Sequence, residues 1–401
     1  MGKHDMRRFN KVLSVIVAAF MLLSFCGCSV SHDKPAISDL RSKVTAKNFS
    51  KYDFTEKALE YLNFIGEEFP ERSYMDGDVV KTNEEFGDWL IKELIDCGYD
   101  PQQILDQHFN AVTMTYVYVE GRNIEVTIPG KKEGQIIVGA HYDGSGFGDN
   151  GSGVALLLAT AVSLVKSKPQ YTIRFVFFDC EEVGFGGSEY YMCQMSKESI
   201  ASTIYMINLD SLIFGDFCNI YGGSYGDDYE LSFYYGKTEA EPEVRLQEGY
   251  DFAADLAAQL GFKVYRVEDL DGYYAAHGHG MDLEEDAFFT NPWTYENPAP
   301  LNMKYLGPGP TTIGMSDHVV FAAIGIPYIY FEASNWWAEG TDPEASYTSY
   351  IETYDASIGK GGMIMNTEYD TPETLQKYFP DRPEKHYRLF SPLLSALLLV
   401  K

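Results

Sequence analysis

QIIVGAHYDG, residues 135–144, sets a short apolar run directly before a histidine and an aspartate. Its length, its β-branched residues and the closing Gly144 predict a strand over Gln135–Ala140, with His141 and Asp143 just past its end. The pattern recurs downstream. Tyr171 to Phe178 and Ile204 to Leu209 predict two more strands; Asp179, Glu181 and Glu182 follow the first, and Asp210 follows the second. Between them, Ser152 to Val165 predicts a helix with Val154, Leu157, Leu158, Val162 and Val165 inward. A further strand, Ile326 to Phe331, is entered from a Gly-Ile-Pro turn. Apolar strands alternating with helices predict an α/β fold with a mainly parallel central sheet covered by helices on both faces. Ligands of such sheets bind beyond the carboxyl ends of the strands, so these polar residues converge although far apart in sequence.

Around this centre the chain is more ordinary. Thr82-Asn83-Glu84-Glu85 reads as a capping box that opens a helix carrying Phe86, Trp89, Leu90, Leu94 and Cys97 and stopping at Gly98. A second amphipathic helix runs from near Glu248 to Leu260 and ends at Gly261, and Leu394 to Val400 reads as a core helix. The long excursion at 222–310 has no strong motif. Its Tyr273, Tyr274, His277, His279, Phe288, Phe289, Trp293 and Tyr295 would form either a wall over the site or a small aromatic core of their own.

Composition limits the partners. With 59 Asp plus Glu against 31 Lys plus Arg, the formal net charge is −28. Phosphate neutralisation needs the opposite excess, which excludes a nucleic-acid binder. The N-terminus is different in kind. Lys3, Arg7, Arg8 and Lys11 precede an apolar run from Val12 to Cys26, then Gly27, Cys28 and Ser29. A basic head, an apolar stretch and a small-residue site read as an export signal. They resemble a bacterial lipoprotein signal, with residues 1–27 removed and Cys28 carrying the lipid. That implies an extracytoplasmic protein anchored to the cell membrane, with residues 28–52 as lipidated N-terminus and tether and 53–401 as the folded domain. Cys97, Cys180, Cys193 and Cys218 show no spacing of a thiolate metal site.

The strand-end residues suit hydrolytic metal chemistry. Zinc takes imidazole nitrogen and carboxylate oxygen where thiolates are absent. Two metals need a bridging carboxylate, terminal ligands on each side and a base nearby. His141, Asp149, Glu182, Asp210 and His318 offer the donors, and Glu181 is left as the base. Singly, a His-x-Asp triplet or a Glu-Glu pair is ordinary surface chemistry; their ordered recurrence at strand ends is what carries meaning.

The segments IIVGAHYDG (136–144), GDNGSGVA (148–155), FVFFDCEEVGFGGSEYY (175–191), INLD (207–210) and MSDHVVFAAIGIP (315–327) together resemble the M28 family of zinc-dependent exopeptidases. The resemblance implies the zinc-dependent exopeptidase (phosphorylase/hydrolase-like) fold over about residues 55–400. It also implies two Zn²⁺ per chain and removal of N-terminal residues from peptides with a free N-terminus by zinc-activated water. By it, His141 and Asp210 would bind one zinc, Glu182 and His318 the other, and Asp149 would bridge. Glu181 would be the general base, Asp143 would fix the His141 tautomer, Asp317 would support His318 or cap a helix, and the Asp149–Asn150 peptide would be cis. Three departures stand out: Ser211 where Met is usual, Gly144 for a common Ser, and the run Asn366–Thr371 without the histidine the family often shows there. The alternatives are a one-zinc glutaminyl cyclase-like enzyme, or a non-catalytic binding relative that would have lost ligands or base.

Overall fold

The computed structural model describes residues 34–72, 79–113, 116–222, 243–266, 287–290, 316–334, 352–353 and 355–401. The export signal, Cys28, and Tyr273, Tyr274, His277, His279, Trp293 and Tyr295 of the excursion lie outside the described residues.

Among the described residues nine strands form one sheet in the order β1-β2-β4-β3-β5-β9-β6-β8-β7. They are β1 (Ile104–Val112), β2 (Tyr118–Ile128), β3 (Gln135–His141), β4 (Thr172–Phe178), β5 (Thr203–Leu209), β6 (Phe217–Tyr221), β7 (Lys263–Tyr265), β8 (Ala287–Thr290) and β9 (Tyr328–Ser334). The centre, β4-β3-β5-β9, is parallel, while β1, β2 and β6 each join an antiparallel neighbour. The sheet is therefore mainly parallel where the sequence repeats its strand-then-acid pattern. Every residue of β3 and of β5 is buried, as strands covered on both faces require.

The helices are α1 (Thr55–Glu68), α2 (Val79–Asp96), α3 (Gly151–Leu164), α4 (Gly186–Gln194), α5 (Lys197–Ser202), α6 (Glu243–Leu260), α7 (His318–Ala323), α8 (Pro372–Tyr378) and α9 (Arg382–Leu398). Ile136, Val138 and Ala140 of β3 join a large core with α1, α2, α3, α6 and α9 on one face, while Ile137 points to α4 and α7 on the other. This alternation is the period of 2 expressed by a strand buried on both sides. Helix α3 approaches the end of β5 closely: a β-carbon on Gly153 would fall 2.5 Å from the Leu209 carbonyl oxygen. Only glycine allows that approach, and it brings the start of α3 against the residue before Asp210.

Most predicted elements occur with boundaries shifted by a few residues; the C-terminal helix α9 begins at Arg382, well before the predicted Leu394, and one cap reads differently. Helix α2 begins at Val79, so Thr82 lies within it rather than at its start. Asn83 serves the site instead, its side-chain amide donating to Asp179 Oδ1 at 2.9 Å. Gly98 and Gly261 do follow their helices with positive φ, +110° and +98°. Cys97, Cys180, Cys193 and Cys218 are free thiols. Among the described residues no helix is long and apolar enough to cross a membrane.

Candidate metal centre

His141 ends β3, and its Cα partner across the sheet is Phe178, the last residue of β4. The turn after β4 therefore begins beside the imidazole. That turn is sharp, with Cys180 in the left-handed region at φ +61°, and it carries Glu181 and Glu182. Asp143 ties the two strand ends together. Its Oδ1 accepts the Glu181 backbone N–H at 3.0 Å and its Oδ2 that of Glu182 at 3.2 Å. Its Oδ1 also lies 3.5 Å from His141 Nδ1, an ion-pair separation rather than a good hydrogen bond.

Asp149 arrives on the loop before α3. Its peptide bond to Asn150 is cis. Asn150 then binds three ways: Oδ1 accepts from Gly153 N–H at 3.0 Å and Ser211 N–H at 3.2 Å, and Nδ2 donates to the Leu209 carbonyl at 2.9 Å. One amide thus caps α3 and holds it against the turn carrying Asp210.

The three turns place His141 Nε2 3.2 Å from Asp149 Oδ1 and 3.4 Å from Asp210 Oδ1. One donor atom from each of His141, Asp149 and Asp210 lies within 4.8 Å of the others, and all three residues are buried. Burial and the nearby Asp210 push the Asp149 carboxyl upward. Burial alone would lower the His141 pKa, but Asp210 and Glu181 raise it well above its ordinary value. Neither ring nitrogen of His141 makes a hydrogen bond of good geometry. Two buried carboxylates facing an unsatisfied imidazole form a nitrogen-and-oxygen donor set short of positive charge, and zinc fits it.

Glu182 stands next to this group. A β-carbon on Gly144, which sits at φ +104°, would meet Glu182 Oε1 at 2.8 Å. Part of Glu182 is open to solvent, yet its carboxyl is pushed well up by desolvation and by Asp149. The Glu181 carboxyl is raised well above its ordinary value too, by desolvation and by Asp317, Asp210 and Glu182, against the lowering effect of His141.

His318 is placed differently from the other donors. It is fully buried, with its ring stacked on Tyr330 at 4.5 Å between centroids and tilted on Tyr328 at 4.8 Å. Its Nδ1 lies 3.5 Å from the Asn208 side-chain nitrogen. Burial lowers its pKa to about 3, so the ring is neutral, but it does not belong to the compact three-donor group. Asp317 occupies the cap position of α7 without making a capping hydrogen bond. Both its carboxylate oxygens are buried without a hydrogen bond of good geometry, and burial raises its pKa to about 7.

Two residues that shape the site carry no motif. Asp370 is buried, and its carboxylate accepts the N–H groups of Gly148 at 2.5 Å and Asp149 at 3.0 Å. Arg72, 1% exposed, donates to the carbonyls of Tyr142 at 3.0 Å, Phe69 at 2.6 Å and Gly146 at 2.8 Å, bracing the loop from His141 to Asp149. The run Asn366–Thr371, noticed for its missing histidine, was the only sequence signal near Asp370.

Residues 123–258 match the model of peptidase family M28. An aminopeptidase of Pseudomonas aeruginosa is 36% identical over 126 residues, covering 30% of this chain and 23% of that protein. This chain thus aligns with only about a quarter of that relative's length. The alkaline phosphatase isozyme conversion protein of Escherichia coli is 33% identical over 302 residues, 70% of this chain and 72% of that one. The crystal structure of Macrostomum lignano glutaminyl cyclase superposes with a TM-score of 0.54 at 14% identity, over 92% of this chain and 99% of the other, a likeness of fold. The family-model match covers the strand ends that build the centre, the Escherichia coli relative aligns over more than two thirds of both chains, and together they show that this chain belongs to peptidase family M28.

Proposed function

We propose that this chain is a zinc metallo-aminopeptidase that hydrolyses the first peptide bond of substrates with a free N-terminus. The observation that carries the proposal is the buried His141–Asp149–Asp210 group, with more carboxylates than cations, standing beside Glu181 at the carboxyl ends of parallel strands. These three residues would hold zinc, with Glu182 and His318, both close enough to feel the charge of the group, as further donors. Bound zinc supplies the Lewis acidity that polarises a carbonyl and makes water nucleophilic near neutral pH.

The chain's own residues do the rest. Glu181 takes a proton from the attacking water on its carboxylate and returns it to the leaving amine nitrogen. Desolvation raises its proton affinity, and a dication held beside it would lower that affinity again. Asp143 holds Glu181 and Glu182 by their backbone N–H groups and sets its side chain on the Nδ1 side of His141, which leaves Nε2 toward Asp149 and Asp210. A substrate α-ammonium would find carboxylates at Glu181 and Asp210.

Glu181→Gln should abolish hydrolysis of aminoacyl amides while zinc content stays at the wild-type value. Full activity in that variant, or in metal-free protein, would refute the mechanism. The compactness of the three-donor group favours one specific alternative, a single-zinc enzyme of glutaminyl cyclase type, in which the N-terminal amine attacks its own side-chain amide and ammonia leaves. Zinc counting on purified protein, with assays for ammonia release from Gln-initiated peptides, separates the two.

We further infer from the sequence that the chain is exported and lipid-anchored through Cys28. Incorporation of labelled palmitate that persists in Cys28→Ser would overturn this.

A further inference from the structure

The hairpin formed by β1 and β2 overhangs the catalytic turn. Strand β2 pairs antiparallel with β4, Ile124 against Phe177, so residues before Ile124 run past the carboxyl end of β4. They then lie against the turn that carries Glu181 and Glu182. A β-carbon on Gly121 would fall 2.8 Å from Cys180 Sγ. One on Gly186 would fall 3.2 Å from Thr113 Cγ2 and 3.3 Å from Val119 Cγ2. Val119 packs inward with Phe109, Cys180 and Val183. Successive strand residues point to opposite faces, so the neighbour of Val119 faces outward: Tyr118 is 60% exposed, opposite the exposed Val112.

Tyr116 sits at the tip, 68% exposed, in the left-handed region at φ +64°. Its conformation is fixed, because its N–H donates to the Thr113 carbonyl at 2.8 Å while the Thr113 N–H donates to the Val117 carbonyl at 2.9 Å. A bulky residue there is strained where glycine or asparagine would not be. Neither burial nor backbone preference accounts for a tyrosine at this position, and strain of this kind points to function. Two exposed tyrosines, one at the tip and one on β2, present broad, amphipathic contact area with few rotors to immobilise.

We propose that Tyr116 and Tyr118 are specificity-determining residues, forming the surface on which a peptide lies after it leaves the metal centre, beyond the bond that is cut. This rests on the peptidase reading: an exopeptidase takes one residue into its site, and the remaining chain must exit across the rim.

The test compares an aminoacyl p-nitroanilide, which has no chain beyond the cut bond, with a pentapeptide of the same first residue. Both are assayed on the zinc-loaded full chain, for wild type, Tyr116→Gly and Tyr118→Ala. Each variant is expected to raise KM for the pentapeptide about tenfold, as loss of an interface tyrosine does. The anilide KM and both kcat values stay within twofold of wild type. Tyr116→Gly, which relieves backbone strain, melts no lower than wild type, so a folding defect does not mimic the result. Parallel changes for both substrates, or no change for either, would overturn the proposal while leaving the peptidase reading in place. A wild-type protein that cleaves neither substrate would overturn both.

Discussion

Asp370→Asn changes one atom pair at a point where the fold grips the metal centre. The Asp370 carboxylate accepts two N–H groups, from Gly148 and from Asp149, and is itself buried. Asparagine keeps one acceptor and turns the other into an NH₂ group facing an N–H donor. The change removes one charge-assisted hydrogen bond, about 1.5–3 kcal/mol, and leaves a buried donor without an acceptor. How that loss divides is the question. If Asp370 only stabilises the loop, the loss appears as a lower melting temperature and zinc affinity stays put. If it holds Asp149 in position for a metal, the loss appears in zinc binding, where 1.4 kcal/mol is a factor of about 10. We expect zinc affinity to fall about 10- to 100-fold, the range typical of residues that orient metal ligands. Chelator competition on wild type and Asp370→Asn gives the affinity, and thermal melts of the metal-free proteins give the stability. Arg174→Met is the control, since it breaks the ion pair between Arg174 and Glu125 without touching a residue of the centre. Zinc affinity within twofold of wild type in Asp370→Asn, with a stability loss like that of the control, would refute the positioning role.

Three further outcomes follow from the same geometry. Burial raises the Glu189 carboxyl to about 7. Its proton is held by the folded state but lost by the unfolded chain as pH rises from about 4.5. Stability should therefore fall between about pH 4.5 and 7. Glu189→Gln should flatten that fall and stabilise the protein at pH 8 by at most ~3 kcal/mol, less where solvent reaches the group; an unchanged pH–stability profile in urea titrations refutes this. Gly144→Ala places a β-carbon 2.8 Å from Glu182 Oε1 at a φ of +104°. It should lower stability by about 1–3 kcal/mol and displace Glu182. Metal counting then shows whether Glu182 matters, because loss of zinc here with His141, Asp149 and Asp210 intact assigns it as a ligand. Removing zinc with a chelator should lower the melting temperature. A cation present at 100 times its Kd stabilises by about 2.7 kcal/mol, and a coincident melt with and without chelator counts against a bound metal.

The parts of this molecule that could be read from sequence share a physical reason. β3 and β5 are buried on both faces, so their apolar runs are uninterrupted and stand out against any background. Their ends are marked by the abrupt change from apolar residues to His141, Asp143 and Asp210. The Thr82 cap misled because its sequence signature is local, whereas the extent of α2 and the turn of Asn83 toward Asp179 are set by tertiary contact. Asp370 escaped for the same reason. It bonds to residues more than 220 positions earlier, and nothing in its own neighbourhood requires that. Arg72 was likewise invisible as a support, since its partners are backbone carbonyls, which every sequence supplies.

The acid excess takes on a sharper meaning at the centre than over the chain as a whole. Asp143, Asp149, Glu181, Glu182, Asp210 and Asp317 gather around one imidazole, and the nearby Arg72 guanidinium directs its N–H groups to carbonyls rather than carboxylates. The resulting pKa shifts are mostly upward, with Asp149, Glu181, Glu182 and Asp317 all driven toward the neutral form by burial. A site built only to fold would not bury so many acids around one histidine, because each costs desolvation that its neighbours increase. A dication would offset these costs by its attraction to every nearby carboxylate, so the same crowding of acids would favour its binding. On the proposed function the same arrangement suits a base: Glu181 is fixed through its backbone N–H on Asp143, and a bound metal would add to the lowering effect of His141 on its proton affinity.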